Sequence, residues 1–180
     1  NVDIVRAVAT SAARDAKNQK QFLDLGAKHN IPITIISGDE EAKMTFRGAG
    51  LELNLSTPYA VVDVGGGSTE IITEVSGQKV EGKSIDIGSV RLTEMFITQH
   101  PIQKNELDNL AKYIKEQIET NKDLLPKAVK HMVAVAGTPT TLACLMKQSP
   151  FEPGIHGTLI NQEAIVAWRD KLKNLTLAEI

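Results

Sequence analysis

Three consecutive glycines sit between acids in the run Asp63-Val64-Gly65-Gly66-Gly67-Ser68-Thr69-Glu70. A phosphate is held by several backbone N–H groups aimed into one concavity. The backbone comes that close only where Cβ is missing. The hydroxyls of Ser68 and Thr69 add donors, and Asp63 and Glu70 are hard oxygen ligands suited to Mg²⁺. A hairpin turn with spare glycines is the plainer reading of a bare triplet. The flanking Asp, Ser, Thr and Glu favour a phosphate cradle.

Three other stretches carry related chemistry. In "SGDEEA", Ser37 and Glu40 have capping-box spacing. Glu41 then falls in the first helical turn, where the helix dipole keeps a carboxylate ionised and able to take a proton from water. On spacing alone, a surface acid is a commoner reading of such a glutamate than a base. In "AVAGTPTTLA", an apolar strand passes through Gly137 and Thr138 into a helix start whose open N–H groups suit an anion. Taken alone, a strand-to-helix turn capped by Thr138, with Pro139 in the first turn, is the favoured account. In "IDIGSVRLTE", Gly88 and Ser89 open a helix with Arg91 in its first turn, suited to phosphate or simply solvated. His29, His100, His131 and His156 lack metal-ligand spacing and read as structural or surface residues. Cys144, beside Leu142 and Leu145, reads as core.

These residues need elements to hold them. A short buried strand is expected at Ile4–Ala9, followed by a helix from Thr10 or Ser11 with a break near Asn18. "IPITIIS" is a second strand, and "DEEAKMTFRGAG" a helix weakened at its end by Gly48 and Gly50. "LELNLSTP" is a connector. Strands are expected at Tyr59–Val64, Ser68–Val75 and Lys79–Ile87, with Ser76-Gly77 turning between the last two. Helices follow in "SVRLTEMFITQH", cut by Pro101, and in "QKNELDNLAKYIKEQIETNKDLL", ended by Pro126. The second carries Leu107, Leu110, Ile114 and Ile118 at helical spacing. "HMVAVAG" reads as a buried strand, "TPTTLACLMK" as a helix, and "QEAIVAWRDKLKN" as an amphipathic helix with Ile165, Trp168 and Leu172 on one face. The order βαβα, connector, βββ-α-α-β-α implies an α/β fold with a mixed sheet covered by helices.

Bulk composition narrows the function classes. The 180 residues suit one domain or two small lobes, and 42% hydrophobic content fills a core. A net charge of -2 with no long basic run gives no general attraction to nucleic acid or anionic membrane. No apolar run is long enough for a membrane span. A single cysteine excludes an internal disulfide and fits a reducing, cytoplasmic setting. The first residue is not methionine, and both ends read as cuts through a larger protein.

The segments "ATSAARDAKN", "ISGDEEA", "VVDVGGGSTEI", "IDIGSVRLTE" and "AGTPTTLA", in this order, resemble the exopolyphosphatase/guanosine pentaphosphate phosphatase family, within the superfamily of actin and the sugar kinases. The resemblance implies two ribonuclease-H-like lobes with an active site in the cleft between them. Residues 1–58 would end the first lobe and residues 59–180 would form the second. It implies Mg²⁺-dependent hydrolysis of the terminal phosphoanhydride of inorganic polyphosphate or guanosine pentaphosphate, with Glu41 as base. Asp63 and Glu70 would be the magnesium-associated acids, Gly65, Gly66, Gly67, Ser68 and Thr69 the phosphate loop, and Gly137 and Thr138 a second phosphate-side turn. Arg14 and Arg91 are similar to family arginines near the site. The family's first phosphate loop, "D-x-G-S-N-S"-like, has no match in these 180 residues. A homodimer of the parent protein is a further expectation. Two other readings use the same loops: an actin-like kinase or ATPase, and a non-catalytic polyphosphate or alarmone sensor.

Overall fold

The computed structural model describes residues 3–51, 59–75, 79–122, 125, 129–148 and 153–179. The chain begins with β1 (Ala7–Ala9), α1 (Ser11–Asp15), α2 (Gln19–Lys28), β2 (Ile33–Ile35) and α3 (Gly38–Gly50). Next come β3 (Tyr59–Val64), β4 (Thr69–Val75) and β5 (Lys79–Ile85). The remainder is α4 (Ser89–Phe96), α5 (Lys104–Thr120), β6 (His131–Val135), α6 (Gly137–Lys147), a 3₁₀ turn (Pro153–Ile155) and α7 (Gln162–Leu172). The expected connector over residues 52–58, the turn at Ser76-Gly77 and the stop at Pro126 lie outside the described residues.

β1 and β2 form a parallel pair, with Ala7 opposite Ile33 and Ala9 opposite Ile35. The other sheet has the order β5-β4-β3-β6. By its contacts the chain divides into two compact units. The first takes residues 1–61, 70–84 and 126–132, and the second residues 62–69, 85–125 and 133–180.

In the first unit, Ile36, Ala42, Phe46, Ala60, Val61 and Ile72 are buried. Phe46 stacks on Tyr59 with ring centroids 4.9 Å apart. The α3 helix lies flush on the strands because Gly82 has no side chain. A Cβ there would stand 2.5 Å from the Ala42 Cβ and 3.5 Å from Ile72. The β1–β2 pair is less buried than its apolar sequence suggests. The strand expected over Ile4–Ala9 starts only at Ala7, so Ile4 and Val5 precede it, and they are exposed, as is Val8 within it.

In the second unit, α4 packs on α5, with Phe96 tilted against Tyr113, and α6 packs on α7. The α4 helix stops at Phe96, well before Pro101. Ile97 is extended, and Thr98 turns its N–H and Oγ1–H onto Glu106, at 2.8 and 2.6 Å. The other oxygen of Glu106 accepts the Gln103 N–H at the start of α5, so one buried carboxylate fixes two chain segments. These bonds hold its pKa below the usual carboxylate range. The α5 helix ends at Thr120, ahead of Pro126, where the Asn121 side-chain amide donates to the Gln117 carbonyl at 2.7 Å. The β6 strand is more exposed than its apolar sequence predicts, with Met132 67% exposed, because it is an edge strand in the sheet order.

Candidate active site

In the first unit, α3 begins with the expected capping box. The Ser37 Oγ accepts the Glu40 N–H, and the Glu40 carboxylate accepts the Ser37 N–H. Glu40 is thereby occupied, and its pKa is lowered chiefly by the Ser37 backbone bond. Glu41, one residue on, is partly buried beside Arg14 of α1. The Arg14 Nη1 lies 3.3 Å from Glu41 Oε2 and donates to the Ile36 carbonyl at 2.8 Å. Burial pushes the Glu41 pKa up, and the negative charge of Glu70 adds to the rise. Bonds from Arg14 and Thr10 oppose it. Arg14, Glu41 and Glu70 therefore form one electrostatic group. Glu70 is only 2% exposed, and its Oε1 accepts the Ser84 hydroxyl of β5 at 2.8 Å. Ser84 had no sequence signal. It is the penultimate residue of a strand of ordinary alternation, and only the β4–β5 pairing brings it to Glu70.

In the second unit, the glycine loop leans on the start of α4. The Ser89 N–H donates to the Gly65 carbonyl at 3.0 Å. The Gly66 carbonyl accepts from Val90 at 2.9 Å and Arg91 at 3.0 Å. The Arg91 Nε–H donates to the Gly67 carbonyl at 2.7 Å. In a trans peptide the C=O and the following N–H point in opposite directions. Three carbonyls turned to α4 therefore leave the N–H groups of Gly66, Gly67 and Ser68 turned away from it.

Gly88 makes this approach possible. A Cβ there would meet the Gly66 carbonyl oxygen and come within 2.5 Å of the Gly66 carbonyl carbon and 2.6 Å of that of Gly67. The closest steric demand for glycine thus falls outside the triplet. The first amides of α4 are spent on the loop, so this helix start offers no anion site of its own. Thr69, 7% exposed, donates its hydroxyl to the Ile87 carbonyl at 2.7 Å, just beyond β5, which ends two residues earlier than expected. Ser68 is also buried, and Asp63 is half-buried in β3.

Gly65 and Gly66 line a cavity of about 480 Å³ together with Ser89, Gly137 and Thr138. Its far wall is Leu142 and Leu145 of α6 and Ile165, Trp168 and Leu172 of α7. Thr138 is not the α6 cap. The cap is Ala136, which makes no side-chain bond and has φ 73° and ψ -172°. That backbone is strained for any residue with a Cβ, and such strain collects at functional turns. Alanine gives no hint of it in the sequence. Among the described residues no group of three His, Cys, Asp or Glu side chains is gathered as a metal cage.

The sequence model of the Ppx/GppA phosphatase family matches residues 1–179. Exopolyphosphatase 2 of Mycobacterium tuberculosis is 39% identical over 149 residues, covering 78% of this chain and 46% of that protein. A bifunctional 3-dehydroquinate synthase/phosphatase of Fusobacterium nucleatum is 36% identical over 140 residues, covering 74% of this chain and 21% of that protein. The chain spans about half the length of the exopolyphosphatase it matches. Among solved structures, an exopolyphosphatase-like protein superposes with a TM-score of 0.91 at 33% identity, over 99% of this chain and 58% of that one. An Aquifex aeolicus Ppx/GppA enzyme gives a TM-score of 0.79 at 33% identity, over 96% and 57%. These matches show the actin-like ATPase fold, a mixed sheet flanked by helices.

Proposed function

The chain belongs to the Ppx/GppA phosphatase family, and from that premise we propose that its parent protein hydrolyses the terminal phosphoanhydride of inorganic polyphosphate. The observation that carries the reading is the setting of Glu41. A general base works best with a pKa lifted towards the working pH. Burial and the Glu70 charge lift that of Glu41, while Arg14 holds its carboxylate in one orientation. In this reading Glu41 takes a proton from the water that attacks the terminal phosphorus. The amides of Gly66, Gly67 and Ser68 receive phosphate oxygens, as positioning and electrostatics must in phosphoryl transfer. Thr69 contributes through the loop's shape, its hydroxyl being held by Ile87. Gly137 and Thr138 add the α6 amides on the same cavity.

Mg²⁺ belongs to the proposal. It keeps several waters and needs only one or two carboxylates beside the phosphates. Asp63 and Glu70, flanking the loop in sequence, match that demand, with Ser84 occupying one Glu70 oxygen. Bound there, Mg²⁺ would neutralise charge on the transferring phosphoryl group. Residues 1–58 and 59–180 as parts of two lobes, a homodimeric parent protein and a cytoplasmic setting complete the reading. The free, half-buried Cys144 fits that setting. No helix among the described residues is long and apolar enough to cross a membrane.

The test is phosphate release from polyphosphate by the full-length protein carrying Glu41→Gln. Loss of about 10²-fold or more in kcat is expected for a general base, and unchanged release rejects the role. A second substrate, guanosine pentaphosphate, is favoured by the cavity's apolar far wall. Trp168, Leu142 and Ile165 suit a flat heterocycle better than a bare phosphate chain.

A further inference from the structure

We infer that Arg91 is a positioning residue, which orients the phosphate loop through Gly67 rather than binding phosphate itself. This deepens the phosphohydrolase reading above and rests on it. The loop has three consecutive carbonyls to place. Backbone amides of α4 place those of Gly65 and Gly66. The carbonyl of Gly67 is placed by a side chain, the Nε–H of Arg91 at 2.7 Å. That bond decides where the N–H of Ser68, on the same peptide plane, points. Ser68 is buried, so its peptide has little water to compete for it.

What the arginine supplies to this work is an N–H at a set reach. Its Nε is the fourth atom out from Cα, on a partly buried side chain that leaves the first turn of α4 and bends back over the loop. Glutamine carries its amide nitrogen at the same fourth position. Methionine carries a methyl group there, with similar length and no donor. Arg91→Gln therefore removes the charge and keeps the N–H, and Arg91→Met removes both.

The experiment compares the two variants in the full-length protein with polyphosphate as substrate, across a range of salt concentrations. Arg91→Met is expected to lower kcat/KM about tenfold, the scale of one charge-assisted hydrogen bond. Arg91→Gln is expected to recover most of that loss. In both, the dependence of KM on salt should match the wild type, because no substrate-neutralising charge has been removed. Hydrogen exchange at the Ser68 amide should quicken in Arg91→Met and return towards wild type in Arg91→Gln. Equal impairment of both variants, with a flatter salt dependence, would assign Arg91 to the phosphates and overturn the inference. So would wild-type kinetics in Arg91→Met. If Arg91→Met does not fold, Arg91→Gln alone still separates the two roles by its salt dependence. If the wild type releases no phosphate from polyphosphate, the functional reading fails, and the exchange rates still judge the positioning role.

Discussion

Glu41 and Arg14 set a pH signature. Burial, first, and the Glu70 charge, second, raise the Glu41 pKa, while Arg14 pulls it down. If Glu41 is the base, the acid limb of kcat/KM should lie above the ordinary glutamate range. Arg14→Met should move that limb to higher pH, and Glu70→Gln to lower pH. A limb unmoved by both would separate Glu41 from the rate. The same shift acts on folding with a definite sign. Glu41 contributes its full stability below the unfolded-state pKa, and that contribution is lost as pH rises through the higher folded-state pKa. At this scale the residue types were legible in sequence and several of their partners were not. Glu40 was readable as a cap, because its partner is three residues away. Ser84 on Glu70 and Gly88 against Gly66 arise from strand pairing and loop folding, which no local spacing records.

Among the elements, α3 and β5 depend on the bare face of Gly82. Gly82→Ala should force the Ala42 and Ile72 contacts apart and cost about 1–3 kcal/mol, the usual penalty of overpacking. Thermal melting measures it. Ala42 follows Glu41 on α3, so phosphate release should fall in the same variant. A melting temperature equal to wild type would show that α3 yields without strain. Most elements were readable because period and punctuation are local. The α3 cap and β3 lie where the pattern put them, the break expected near Asn18 falls between Asp15 and Gln19, β4 starts one residue later than expected and β5 ends two residues earlier. The departures have tertiary causes. The α4 helix ends early because Glu106, in the next helix, captures Thr98. The β6 strand is apolar yet exposed because its place in the sheet order, not its composition, sets its burial.

For the molecule as a whole, the cavity that opens from the loop is where the proposed substrates can be told apart. Trp168 lies in its wall, with the Lys171 ammonium 4.5 Å from the ring centroid. Stacking of a base on an aromatic ring is worth about 1–3 kcal/mol. Trp168→Ala is therefore expected to raise KM for guanosine pentaphosphate about tenfold and to leave polyphosphate turnover within about twofold of wild type. Equal effects on both substrates would remove the base from this wall.

The tie between the glycine loop and α4 has a thermodynamic corollary. Its hydrogen bonds join protein groups to one another. The conformational entropy of those three peptides is therefore surrendered when the chain folds, before any anion arrives. An anion docking on their amides, as proposed, would meet a surface already ordered. Its affinity then reflects contact enthalpy and displaced water, without a separate ordering penalty at the loop.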